Sequence, residues 1–354
     1  MTAWLADSGA AAQLRVYRRG AARRRLAILL MATALAALIC TDLVTGPSSL
    51  RISEAVDALF YGMNRADSMA ATIIWSFRLP TTLMGALVGI SLGIAGLQMQ
   101  TILDNPLASP FTLGFSAAAG FGAALAIMYG AAVPLVAWLL VPLSAFSATL
   151  IACGLIYLIA RFCCASAEVL VLGGIAVMFM FQAFQALLQY LASPEVLQQI
   201  VFWLFGSLQR ASWTSIAVVG FTLLICLPVL LIDAWRLTAL RLGDVHARSL
   251  GVKVDRLRCR TFIIIALLTA SAVAFVGTIG FVGLVAPHAA RALVGEDQRA
   301  LLPLSALTGG IMLSGASVVS KLIAQGAVVP IGIVTAIVGV PILFMLIIRR
   351  GMGG

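Results

Sequence analysis

"LRLGDVHARSLGVKVDRLRCR", Leu240 to Arg260, places Arg241, Asp244, Arg248, Lys253, Asp255, Arg256, Arg258 and Arg260 between two uncharged runs, 211–232 and 261–290. Each run reaches the ~20 residues that carry a helix through a bilayer core. The island therefore marks a point where the chain surfaces and turns back. The same alternation fills the sequence, with further uncharged runs at 26–41, 79–103, 105–160, 169–194, 300–320 and 322–348. With 62% hydrophobic and 10% charged residues among 354 and a mean hydropathy of +1.09, the composition lies well outside that of a soluble domain.

The run at 105–160 is long enough to fold back on itself, with Gly130 and Pro134 marking the turn, and Gly280, Gly283 and Pro287 break the run at 261–290. Nine or ten membrane helices result, ten being preferred: an all-α polytopic membrane protein. Short alternating segments of the kind a β-barrel needs are absent. The expected spans are 26–43, 79–100, 112–129, 134–160, 168–192, 213–233, 261–282, 286–295, 301–322 and 330–349. They imply a basic N-terminus at 1–25, one transmembrane domain at 26–350 with a loop at 234–260, and a tail at 351–354. Two segments are expected to form surface helices on the outer side. One is "RISEAVDALFYGM" (51–63), with Ser53 as cap; the other is "SPEVLQQIVFWLFGSLQR" (193–210), with Trp203 and Phe205 as interfacial aromatics.

The net charge of +10 is topological information rather than a nucleic-acid footprint. Arg15, Arg18, Arg19, Arg23, Arg24 and Arg25, then Arg161, the island, and Arg349 and Arg350 all fall on one side when ten helices are threaded with both ends in the cytoplasm. No cleavage site follows the first apolar run, so it reads as a retained helix.

Gly85, Gly89, Gly93 and Gly96 recur at spacings of three and four, a stripe for close helix contact. A faint echo pairs Gly96 with Gly277 and Pro106 with Pro287. Separated by an odd number of spans, the copies would form two weakly similar inverted halves.

Chemistry is sparse. Cys40, Cys153, Cys163, Cys164, Cys226 and Cys259 lack metal-ligand spacing and read as packing residues. His246 and His288 are far apart, the former in a loop and the latter at a helix start, so no metal site, catalytic group or cofactor is expected. Only Asp233, Arg291 and Lys321 are read as lying near a span, which weighs against a proton-coupled carrier. There is no GxxxxGK[ST] loop, and "LSGAS" (313–317) reads as helix packing. A pore without an engine needs a partner that has one. The island offers a place to attach it: Gly243 breaks the preceding helix, Asp244 is a good cap, "VHARSL" makes one or two turns presenting Val245 and Leu250, and Gly251 ends them in a left-handed conformation. An ordinary solvated loop is an equal alternative on this stretch alone.

Four stretches carry a resemblance: "FRLPTTLMGALVGISLGIAGLQMQTILDNPLASPFTLGFSAAAGFGAALA" (77–126), "LGDVHARSLGV" (242–252), "GTIGFVGLVAPHAARALVGEDQRALLPLSALTGG" (277–310) and "PIGIVTAIVGVPILFMLI" (330–347). In this order they resemble the permease subunits of bacterial importers for ferric siderophores, haem and cobalamin, a branch of the type II ABC importers. The resemblance implies a second permease subunit (a copy or a paralogue), a cytoplasmic ATPase dimer, and a periplasmic binding protein, in the bacterial inner membrane. It also implies that Asp244, Val245, His246, Ala247, Arg248, Ser249, Leu250 and Gly251 form the helix that docks in the ATPase. Arg78 and Lys321 match outward-facing positions that pair with acidic groups of the binding protein, the alternative being snorkelling at a helix end. Relatives often carry a second basic residue where Thr81 stands here. Met178, Met180, Phe181 and Phe184 are expected along the translocation path, or equally in the core. A secondary carrier or channel is the competing reading, and an intramembrane enzyme a distant third.

Overall fold

A computed structural model of the chain describes residues 2–46, 51–62, 69–130, 137–162, 167–323 and 328–351. The expected turn residue Pro134, the pair Cys163 and Cys164, and residues 352–354 lie outside them, as do the side chains of Arg15, Arg18, Arg19, Arg161, Arg349 and Arg350. The described residues form fifteen α-helices without a strand: α1 Thr2–Val44, α2 Ile52–Tyr61, α3 Met69–Thr72, α4 Leu79–Ile102, α5 Phe115–Tyr129, α6 Ala137–Phe162, α7 Ala167–Leu191, α8 Pro194–Leu204, α9 Trp213–Ile232, α10 Ala234–Leu240, α11 Asp244–Ser249, α12 Val254–Val276, α13 Val282–Val294, α14 Gln298–Ile323 and α15 Ile331–Gly351. Seven helical stretches are long and apolar enough to cross a membrane, and three shorter apolar helices, α5, α13 and the apolar part of α15, bring the series to the expected ten.

Most boundaries match the uncharged runs, and the departures have local causes. The first helix does not start at residue 26; it runs continuously through the basic stretch, whose arginines are good helix formers. Ser53 does not cap α2. Arg51 precedes it in an extended conformation, and Glu54 accepts the Arg51 backbone N–H at 3.1 Å. A π-helical stretch, Ile73–Arg78, joins α3 to α4. The run at 261–290 breaks at Gly277, which has φ of 83° and ends α12; Gly283 and Pro287 lie inside α13, and His288 is in its second turn rather than at its start. Gly96, by contrast, lies mid-helix in α4 and Pro106 in the turn after it, so the echoed residues do different local jobs. Trp203 is no interfacial anchor: it is buried among Ala119, Ala123, Ala145, Val273 and Ala274.

Helix α4 is the central post. It packs most extensively against α14, and also against α12, α13, α9 and α1. Lipid gives apolar helices no hydrophobic reason to associate, so close backbone approach must supply dispersion contacts instead. The glycine stripe does this. A Cβ on Gly89 would lie 2.9 Å from the Gly310 Cα, one on Gly93 3.3 Å from the Gly309 Cα, and one on Gly96 2.6 Å from the Gly283 Cα. Helices α1, α6, α7 and α9 are far less buried and form the outside of the subunit.

Candidate functional site

At one end of the bundle lie the island, the turn after α4 and the turn between α13 and α14. Ion pairs tie them together: Arg24 to Asp297 at 2.8 Å, Arg241 to Asp104 at 2.6 Å and to Glu296 at 3.3 Å, and Arg291 to Glu296 at 2.9 Å. The N-terminal helix, the island and both turns therefore share one face, as the threading requires.

Within that face, α11 is a short helix between two left-handed glycines, Gly243 (φ 96°) and Gly251 (φ 81°). Gly251 ends the helix as its sequence suggests, with the Val252 N–H donating to the Ala247 carbonyl at 3.0 Å and the Gly251 N–H to Arg248 at 2.9 Å. Asp244 departs from expectation. It is the first helical residue and Gly243 occupies the cap position. Its carboxylate instead takes both terminal nitrogens of Arg258, at 2.7 and 2.9 Å. Ala247 is fully buried, with Val252 and Val254 beneath, whereas Val245 is 79% exposed and Leu250 57%. His246, Arg248 and Ser249 are exposed, Arg248 making a loose 3.5 Å pair with Asp255. Hence α11 has an anchored base and leaves Val245 in its first turn and Leu250 at its C-cap exposed. At the neighbouring end of α9, buried Asp233 is held by Arg236 at 2.8 Å and by Arg260.

The opposite end holds the two basic residues expected on the outer surface. Both are buried. Arg78 donates to the Leu43 and Val44 carbonyls at 3.2 and 2.7 Å, closing the C-terminal end of α1. Lys321 Nζ lies 2.9 Å from the Asp42 carboxylate and 2.9 Å from its main-chain oxygen, while the Thr82 hydroxyl donates to the other carboxylate oxygen at 2.6 Å. Snorkelling does not describe this, and neither does a charge displayed to solvent. Both residues line a cavity of about 400 Å3 together with Phe77, Thr81, Gln209 and Ser317. Asp42, at the end of the first apolar run, is the residue that sequence reasoning missed; a lone carboxylate abutting a span is the signal that could have found it.

The four path candidates separate. Phe181 is buried and stacks edge-on or tilted with Phe121 and Phe184, and Met180 is partly buried against the main core. Phe184 remains 45% exposed. Met178 lines a cavity of about 160 Å3 with Ser116, Gln182, Gln185 and Thr278. Gln182 and Gln185 were also missed. They begin a polar series with Gln189, spaced by three and four along an otherwise apolar helix, which places all three on one face of α7.

The fold is that of a polytopic helical membrane protein. Residues 34–349 match the model of the FecCD transport family, and the chain belongs to that family. A putative ABC transporter permease protein of Methanocaldococcus jannaschii is 36% identical over 87% of this chain and 89% of its own. A cobalamin import system permease protein of Halobacterium salinarum is 37% identical over 79% of this chain and 74% of its own. Among solved structures, an inward-facing conformation of a putative metal-chelate type ABC transporter superposes with a TM-score of 0.80 at 30% identity, covering 91% of this chain and 98% of the other.

Proposed function

We propose that this chain is the membrane-spanning subunit of an ATP-driven importer that passes a ferric siderophore, or a related iron chelate, from a periplasmic binding protein to the cytoplasm. It would work in a bacterial inner membrane with both termini cytoplasmic, paired with a second permease subunit and with a cytoplasmic ATPase dimer. No reaction is assigned to the chain itself; hydrolysis belongs to the separate ATPase.

One observation carries this reading: α11 and its C-cap expose Val245 and Leu250 on a base fixed by buried Ala247 and by the Asp244–Arg258 pair. An exposed apolar pair on a rigid, capped helix fits a groove on another protein, and its burial would contribute about 1.5–3 kcal/mol per side chain. Val245→Asp with Leu250→Asp should abolish co-purification with the ATPase and ATP-dependent uptake into proteoliposomes. Uptake that continues without any ATPase would overturn the reading in favour of a secondary carrier.

The iron-chelate assignment draws on the metal-chelate neighbour; the cobalamin-named relative makes cobalamin, with haem, the competing cargo. Mass spectrometry of the ligand retained by the co-purified binding protein separates them. We propose that the binding protein docks at the cavity lined by Arg78 and Lys321, where an incoming acidic side chain would have to displace Asp42.

A further inference from the structure

A six-residue helix such as α11 has no stability of its own, so its direction depends on what grips its base. Arg258, in the second turn of α12 and with a side chain only 11% exposed, grips it with a two-pronged contact to Asp244. The remaining side-chain nitrogen, Nε, donates to the carbonyl of Ile102 at 3.1 Å. Ile102 is the last residue of α4, where helix carbonyls lack intrahelical partners and a cation is favoured. One planar guanidinium thus joins its own helix α12 to α11 and to α4, the most buried helix of the bundle. At its far end α4 carries Thr82 and is preceded by Arg78, the residues that hold Asp42 and the end of α1.

We infer that Arg258 is the positioning residue through which displacement of α11 reaches α4, so that the load passes along α4 to the outer end. The inference rests on the reading of α11 as the helix an ATPase grips. A lysine cannot replace Arg258, because an ammonium is a point charge without the fork that spans Asp244 and Ile102 together.

Amide hydrogen exchange of the full chain in lipid nanodiscs provides the test. Without ATPase, Arg258→Met should speed exchange about tenfold or more in both 244–251 and 100–105; unchanged exchange in 100–105 would overturn the link to α4. With the ATPase bound, ATP and vanadate should alter exchange in 244–251 and in 73–82 of the unmodified protein. With the ATPase added to saturation, so that any loss of affinity from a loosened α11 is overcome, Arg258→Lys and Arg258→Met should still show the change at 244–251 but lose the change at 73–82. The exchanged pair Asp244→Arg with Arg258→Asp restores the ion pair without the Ile102 bond and should remain uncoupled. Full coupling in any of these variants refutes the inference. An unmodified protein that ignores ATP instead refutes the importer reading, while the ATPase-free arm still decides whether Arg258 joins α11 to α4.

Discussion

Lys321→Met removes a cation from the outer end while keeping most of its volume. Lys321 has a side chain 6% exposed and Asp42 one that is fully buried, with 2.9 Å between the charged groups. After the substitution the carboxylate keeps the Thr82 hydroxyl at 2.6 Å but loses its ammonium. Breaking a buried pair from one side costs about 3–5 kcal/mol, whereas neutralising both partners is often close to neutral. The retained hydroxyl bond argues for the lower figure, about 3 kcal/mol. At about 2–4 °C per kcal/mol, the midpoint of thermal unfolding in detergent should fall by roughly 6–12 °C. Adding Asp42→Asn to Lys321→Met should recover most of that loss. A single variant as stable as the unmodified chain, with no coupling in the double-mutant cycle, would show that Lys321 and Asp42 do not depend on each other.

Two further outcomes concern the helices themselves. Gly96→Ala drives a Cβ into the Gly283 carbonyl oxygen and to within 2.6 Å of the Gly283 Cα, so α13 must retreat by well over ~1 Å; a loss at or above the top of the roughly 1–3 kcal/mol overpacking range is expected by thermal unfolding. Gly154→Ala, which meets nothing within 4 Å, is the control and should be neutral or stabilising. Gln182→Leu with Gln185→Leu should leave the unfolding midpoint within about 2 °C but change the initial rate of ATP-dependent uptake several-fold, because both side chains line the small α7 cavity rather than the core. Unchanged uptake would remove α7's polar face from the path.

The number and order of spans, the class of protein and the outline of α11 were legible from residues alone. Covering a helix's backbone in hydrocarbon requires an uncharged run of fixed length, and Gly243 and Gly251 delimit α11 because their positive φ values suit glycine. Those are local constraints, written in consecutive residues. What only the tertiary structure decided is which charges meet. Asp42 and Lys321 are separated by most of the chain, yet α1 and α14 bring them into one buried pair. Arg78 reaches back to close the end of α1, and Asp244 exchanges its expected cap for Arg258. Likewise α7 is apolar apart from its glutamine face, and the packing is what shows Phe181 turned inward and Met178 turned to a cavity. The physical reason is the same throughout: a bilayer reads each segment by its own transfer energy, whereas buried charges and packed rings take their energy from partners that the fold alone brings near.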